Sequence, residues 1–147
     1  MKLLRYSLIL SIYLWCSPIQ AQMERTMYQV FTVDSAKTIT LDIMGNYEIN
    51  TWAGSDILVE NHIQIWDASR EILGFLIKDG RYDLAMDSTA GVNPVDMTIY
   101  TRNKERKPIK RPDGQKCLEI AVAKIFIPET FAVSEDKKIL TRKEEEN

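Results

Sequence analysis

Cysteine and histidine are nearly absent from this sequence, and their scarcity excludes several kinds of chemistry. The 147 residues include two cysteines, Cys16 and Cys117, and one histidine, His62. A metal site built from several histidines cannot form within one chain, and any Ser-His-Asp or Cys-His arrangement would have to use His62. Its neighbours on the same strand face are Glu60 and Gln64, with no serine or cysteine nearby in sequence. We therefore interpret His62 as an exposed strand residue.

Other common functional signatures are missing as well. The sequence has no glycine-rich phosphate loop and no alternating acidic run with a central glycine for calcium. The formal net charge of −2 gives no general case for nucleic acid or an anionic membrane. Hydrolysis by paired carboxylates needs a set separation, which a sequence cannot show for the nearby residues Asp79, Asp83, Asp87 and Asp96. We predict no catalytic residue, no cofactor and no metal ligand.

The first 21 residues have the layout of a secretory signal peptide. Lys2 and Arg5 form the positive start, residues 3–15 are mostly apolar, and Ala21 ends a short polar exit. We expect cleavage after Ala21 and export to the periplasm or cell surface, with no transmembrane span left after cleavage. Two alternatives stay open: an uncleaved N-terminal anchor, and lipidation at Cys16. Bacterial lipoprotein signals have a small residue directly before the cysteine, and Trp15 departs from that pattern.

The remaining chain is predicted to be one domain, residues 22–142, with a disordered acidic tail over residues 143–147. Its net charge is −4, because cleavage removes two basic residues, and Cys117 is its one cysteine. No intrachain disulfide can then form, so packing must supply the stability. We interpret Cys117 as a small hydrophobic strand residue. The polar residues 22–26 are expected to fray.

Alternating residues between Thr38 and Asp67 predict three consecutive strands around which the sheet is built. The apolar positions recur at period two: Ile39, Leu41, Ile43, Tyr47, Ile49, Ile57, Val59, Ile63 and Ile65. Gly45 favours a tight hairpin turn because glycine reaches positive φ without strain. The third strand is long, which suggests a bulge near Asn61. Trp52 and Trp66 fall on the outward phase, where we expect the helix to cover them; stacking on sugars is the alternative.

The period changes after Trp66 and predicts a short helix over residues 68–79. Asp67 can cap its start, and Gly80 stands where a helix end favours a left-handed residue. A strand over residues 73–78 with an Asp79–Gly80 hairpin is the alternative, because short apolar runs are ambiguous.

Further strands are predicted over residues 28–33, 81–87, 95–102, 118–127, 131–133 and 138–141, with a loop over 88–94. Segments 95–101 and 118–122 are expected to pair as an antiparallel hairpin. A bulge is expected near Ala123 and Lys124, where the alternation slips, and Pro128 should end the strand. The fold class is therefore all-β, with about eight to nine strands and one short helix, arranged as a short β-solenoid or a two-layer β-sandwich-like domain.

The segment GNYEINTWAGSDILVEN, from Gly45 to Asn61, resembles the repeat of a bacterial β-strand-repeat family of putative adhesins of unknown function, related to GIN-type adhesin head domains. Lys124 to Phe131 is similar to that family's strand ending in Ile-Pro, and the insertion from Asp67 to Gly80 has a counterpart in some members. This sequence departs from the family pattern in one respect, because family members usually continue through several more strand repeats after that proline. The resemblance implies a β-solenoid or sandwich-like domain on the cell envelope and implies no catalytic residues.

The segment RNKERKPIKRPDGQK is the most unusual local feature. It holds seven basic residues, Arg102, Lys104, Arg106, Lys107, Lys110, Arg111 and Lys116, and two acidic ones. We predict a loop that projects into solvent and contacts an anionic envelope glycan, a lipid headgroup or another envelope protein. A soluble loop that protects a sheet edge is the alternative. The segment has no aromatic residue, which argues against single-stranded nucleic acid.

These features together predict a non-catalytic, secreted or cell-envelope β-domain that acts as an adhesin-like interaction module. A carbohydrate-active hydrolase with paired carboxylates and an accessory subunit of an envelope assembly are the alternatives.

Overall fold

A computed structural model describes residues 22–89 and 95–144 and confirms the all-β class. Within these residues, nine strands form two sheets, accompanied by one short helix, in a sandwich-like arrangement. The predicted signal peptide, most of the predicted 88–94 loop and the last three residues of the predicted tail lie outside the described residues.

The strands are β1 (Gln22–Phe31), β2 (Ala36–Asp42), β3 (Asn46–Trp52), β4 (Ile57–Trp66), β5 (Leu84–Ser88), β6 (Val95–Thr101), β7 (Glu119–Pro128), β8 (Phe131–Val133) and β9 (Ile139–Arg142), and the helix is α1 (Arg70–Lys78). One sheet has the order β1-β4-β7-β3, and the other has the order β5-β6-β2-β9-β8. The pairs β2–β6 and β3–β7 are parallel, and the other pairs are antiparallel.

Two predicted hairpins are wrong, because consecutive strands cross from one sheet to the other. β2 lies in the five-stranded sheet and β3 in the four-stranded sheet, and β6 and β7 are divided in the same way. Gly45 does have the expected positive φ of 97°, but its turn joins the two layers. The Met44 N–H donates to Thr101 Oγ1 over 2.8 Å, which connects this corner to the end of β6.

The two predicted bulges are also wrong. β4 pairs with β1 and β7 without a register shift at Asn61, which faces inward and is buried. Its Nδ2 donates to the Tyr82 carbonyl oxygen over 3.3 Å, so the buried amide is satisfied without a bulge. β7 runs in one phase through Ala123 and Lys124. Small alanines occupy its inner face there, while Ile120 is exposed on the outer face.

The helix is confirmed, with a different cap from the one predicted. Ser69 is the N-cap, and its hydroxyl oxygen accepts from the Ile72 N–H over 3.4 Å, whereas Asp67 adopts a positive φ of 61° before the helix. Gly80 follows the helix with φ of 72°, as expected for a left-handed end.

Two hydrophobic clusters hold the domain together. The larger lies between the sheets and includes Ile39 and Leu41 of β2 with Ile57 and Val59 of β4. The smaller joins Ile63 and Ile65, in the second half of β4, to Leu73 of α1. The long strands of the four-stranded sheet therefore extend past the sandwich and carry the helix on the same inner face.

Several further predictions are corrected at this end of the sheet. β1 begins at Gln22, so residues 22–26 are not a frayed segment. The helix packs on the inner face, whereas Trp66 alternates with buried Ile65 and lies half-buried on the outer face, so the helix does not cover it. Cys117 precedes β7 instead of lying on a strand. Within residues 22–89 and 95–144, no helix is long and apolar enough to cross a membrane.

Candidate functional site

The predicted basic loop, residues 102–116, joins β6 to β7 and folds back onto the protein. Ile109, at its middle, is buried together with Ile63 of β4 and Leu73 of α1. The Cys117 N–H donates to the Ile109 carbonyl oxygen over 2.9 Å and fixes the return of the chain. The loop is therefore anchored to the second cluster at one apolar residue within the charged run, while most of its other residues are exposed.

Two of the predicted contact residues pair with carboxylates from other elements. Arg102 Nη1 lies 3.8 Å from Asp83 Oδ2. The Lys104 ammonium pairs with the Asp42 carboxylate at the end of β2. Both cations are therefore paired with carboxylates that lie far from them in the sequence.

Two more of the predicted contact residues are engaged by neighbouring groups. Arg111 Nη2 lies 3.0 Å from Asp113 Oδ2, and its Nη1 lies 4.0 Å from Asp67 Oδ2. The Arg106 guanidinium lies over the Tyr82 ring, 5.4 Å from the ring centre, in a cation–π contact. Burial lowers the pKa of Arg106 more than the attraction of Glu119 raises it.

The three remaining lysines form what we call the lysine surface: Lys107, Lys110 and Lys116. All three are exposed, and none has a carboxylate within 4.0 Å in the described part of the chain. Lys110 and Lys116 are direct cross-strand partners in a small antiparallel hairpin whose turn contains Gly114 with φ of 84°. The structure thus brings together two cations that the sequence separates.

A buried charge cluster supports this loop from beneath. Arg81 donates from Nε and Nη2 to the two carboxylate oxygens of Glu119, over 2.8 and 2.7 Å. Burial alone would raise the pKa of Glu119, but the hydrogen bonds from Arg81, together with the nearby Tyr82 hydroxyl and the positive charges of Arg81 and Arg106, hold that pKa below its usual value. The same bonds raise the pKa of Arg81. The pair fixes the start of β7 to the chain that follows the helix.

Tyr82 lies within this cluster with a hydroxyl that has no hydrogen-bond partner among the described residues. The side chain is fully buried. Burial first, and then the nearby Glu119 carboxylate, raise the pKa of Tyr82. The Tyr82 hydroxyl lies outside hydrogen-bonding geometry, and Glu119 is hydrogen-bonded to Arg81 instead. Neither the buried pair nor this tyrosine was singled out by sequence reasoning, since the Arg81–Glu119 contact spans 38 positions.

His62 lies on the outer face of the four-stranded sheet, as its strand phase predicted. Its Nδ1 is 3.3 Å from Thr26 Oγ1, and its Nε2 is 3.2 Å from Gln64 Nε2 and 3.4 Å from Glu24 Oε1. These neighbours position the ring on the surface, with the carboxylate supplied by β1 rather than by Glu60.

The four carboxylates that lie close in sequence are distributed over different elements. Asp79 ends α1, Asp87 lies in β5 and Asp96 in β6, while Asp83 pairs with Arg102. Within the described ranges, no group of three or more histidine, cysteine or acidic side chains could hold a metal ion.

Sequence reasoning missed a groove between the edge strand β1 and the helix. This β1–α1 groove has a volume of about 640 Å³ and is lined by residues 22–25 of β1 and by Arg70, Leu73, Gly74 and Ile77 of α1. The signal in the sequence was the period-two spacing of Met23 and Met27, which continues the inner face of β1 toward its start.

A second depression lies at the C-terminal end of β3, around Trp52. Its volume is about 370 Å³, and Asp34 and Glu129 are among its lining residues. The Trp52 Nε1 donates to the Asp56 carbonyl oxygen over 2.9 Å, which fixes the indole ring. An aromatic ring and two acidic residues therefore line the same depression.

Comparisons with known proteins add no relative to this geometry. No protein-family model matches the chain, and neither a curated protein nor a solved structure matches it.

Proposed function

We propose that this protein is an exported, non-catalytic interaction module of the cell envelope, adhesin-like in role, which contacts an anionic partner through its lysine surface. The observation that carries the proposal is the direct cross-strand pairing of Lys110 with Lys116. Like charges directly opposite each other destabilise a strand pair. A hairpin that places two lysines directly opposite each other, without carboxylate partners among the described residues, is suited to an anion from outside.

The surroundings of the lysine surface favour this role. Ion pairs partly offset the charges of Arg102, Lys104 and Arg111, and Arg106 lies over the Tyr82 ring, so the positive field available to a partner is strongest at Lys107, Lys110 and Lys116. Such a field acts over about 8 Å at physiological salt, so it attracts groups that approach the hairpin closely. An anionic glycan or lipid headgroup on the envelope has this chemistry. The resemblance of residues 45–61 to adhesin repeats agrees with a binding role.

The experiment measures binding of the purified protein to anionic phospholipid vesicles and to heparin at low and high salt. The variant Lys107→Ser, Lys110→Ser, Lys116→Ser should lose most of the binding. A control with Lys37, Lys78 and Lys138 changed to serine has the same net charge and should retain it, since these exposed lysines lie elsewhere. Equal loss in both variants, or no binding by the wild type, would contradict the proposal.

A carbohydrate-active hydrolase is the second candidate, and the Trp52 depression is the observation that favours it. Asp34 and Glu129 line the same depression as the indole ring, and glycoside hydrolysis uses two carboxylates. Release of reducing sugar from envelope glycans, abolished by Asp34→Asn or Glu129→Gln, would support this candidate. Unchanged release in both variants would assign the activity to a contaminant.

A further inference from the structure

β1 is an edge strand with an open side. It pairs with β4 on one side over ten residues, from Gln22 to Phe31, and no other described strand adjoins it. In the described part of the chain, no hydrogen bond reaches its backbone from the open side. A row of free N–H and C=O groups on an edge strand can pair with another extended chain.

The helix gives this open edge a wall. The β1–α1 groove runs between the first four residues of β1 and one face of α1, with Met23, Leu73 and Ile77 providing apolar surface. Gly74 contributes no side chain, and a Cβ placed there would meet nothing within 4 Å. The groove is therefore wide enough to accept an apolar side chain from a chain that pairs with β1.

Two of the three charged residues that line the groove are arginines. Arg25 and Arg70 both line it and are exposed. Neither lies within 4.0 Å of a carboxylate among the described residues, whereas Glu24 points to the other face and approaches His62. Arg70 also begins the helix, where the free N–H groups favour an anion. The groove is thus complementary to an acidic segment.

We propose that the β1–α1 groove binds an extended, acidic polypeptide segment of another protein. The segment adds to the four-stranded sheet as a further strand beside β1. Its side chains alternate between the two faces, so every second residue faces the groove. An apolar side chain then contacts Met23, Leu73 and Ile77, and an acidic side chain two positions away pairs with Arg25 or Arg70.

Two nearer occupants are disfavoured by geometry and charge. The glutamates 144–146 follow Lys143, whose N–H donates to the Thr130 carbonyl oxygen near the far end of β1. Three residues span at most about 11 Å, whereas β1 extends about 20 Å between that end and Arg25, the nearest residue of the groove. A second copy of this chain would bring the same two arginines to the interface, where like charges repel.

The experiment uses the purified protein and a fluorescein-labelled synthetic peptide in which leucine and glutamate occupy one strand face and threonine the other. Fluorescence polarisation should show binding, and hydrogen exchange should show protection of amides within residues 22–31. Arg25→Glu with Arg70→Glu should weaken binding at least about tenfold, equivalent to about 1.4 kcal/mol. A peptide with lysine in place of glutamate should prefer this charge-reversed variant over the wild type.

Matched variants separate the groove from general effects. Lys37→Glu with Lys138→Glu has the same charge change and should bind the glutamate peptide normally. Gly74→Leu should block the groove while favouring the helix, and Gly74→Ala should keep it open. The lysine surface is untouched in all of them, so the test is independent of the proposed anionic contact.

Equal binding by the wild type, the charge-reversed variant and Gly74→Leu would overturn the proposal. No binding by the wild type would overturn it too, and would leave Arg25 as a charge that protects an edge strand from pairing. A dimer of the protein that excludes the peptide would assign the groove to a second copy instead.

Discussion

Removing either partner of the Arg81–Glu119 pair should destabilise the protein far more than removing both. The Arg81 side chain is 8% exposed and that of Glu119 is 20% exposed, and two hydrogen bonds join them. A single truncation leaves a buried charge without its partner, which costs about 3–5 kcal/mol. Replacing both by apolar residues of similar volume is often neutral. We therefore expect Arg81→Met and Glu119→Leu each to cost about 3–5 kcal/mol, and the double variant about 1 kcal/mol or less.

The two single variants should not be equal. Arg106 lies close to both members of the pair: the Glu119 carboxylate raises the pKa of Arg106, and the Arg81 guanidinium lowers it. If Arg81 is lost, Arg106 still compensates the Glu119 charge. If Glu119 is lost, two guanidinium groups repel each other in a partly buried site. Glu119→Leu should therefore be the more destabilising change.

Urea unfolding of the four proteins, followed by far-ultraviolet circular dichroism, gives the coupling free energy of the cycle. Additive single effects, or a larger effect for Arg81→Met, would refute this reasoning.

The pH dependence adds a second test, because the folded pKa of Glu119 lies below its ordinary value of 4.5. A carboxyl with a depressed folded pKa stabilises the fold above its unfolded pKa and ceases to do so as the pH falls through the folded pKa. The wild type should lose this stabilisation below about pH 4.5, and the double variant should not.

Three further predictions concern a buried hydroxyl, the hydrophobic core and the N-terminus. Tyr82→Phe should leave stability unchanged or raise it by up to about 1 kcal/mol, since it removes a buried hydroxyl without a partner; a loss in urea unfolding would indicate a hydrogen bond to Glu119. Leu41→Ala and Ile63→Ala should each cost about 2–5 kcal/mol because both side chains are buried, and an effect no larger than that of Thr40→Ala would contradict the strand phases. Sequencing of the exported protein should begin near Gln22, and an intact N-terminus on a cytoplasmic protein would refute export.

Strand and helix positions were largely predictable because they depend on local spacing. Ile39 and Leu41 alternate with polar residues, and both are buried in β2 as expected. The change of period after Trp66 correctly predicted a helix, with Gly80 at its end. Each of these features is decided by residues within one element and its immediate flanks.

Strand partners were not predictable from the same spacing. An alternating strand has an inner face whether its partner is its neighbour in sequence or a distant strand. Gly45 adopts a positive φ in the turn between layers, and it would do so in a hairpin as well. The inner phase of β7 was hidden because Ala121 and Ala123 are small, while the larger Ile120 on the outer face suggested the core side.

The basic loop was located from sequence, but its free cations were not. The partners of Arg102 and Lys104 are Asp83 and Asp42, which belong to other parts of the chain. Which cations stay free depends on topology. The fold is therefore needed to distinguish the lysine surface from the cations that stabilise the loop.

Arg25 shows what a broken pattern can reveal once the fold is known. Met23 and Met27 define an inner face at the start of β1, and Arg25 lies between them on that same face while remaining exposed. A charge at such a position is unfavourable in a central strand, where both sides are covered, and tolerable in an edge strand beside an open groove. The interruption that made residues 22–26 look like a frayed segment is thus a property of an edge strand. An alternating strand with a single inward arginine therefore predicts an open edge, and the helix that follows β4 determines whether that edge becomes a binding groove.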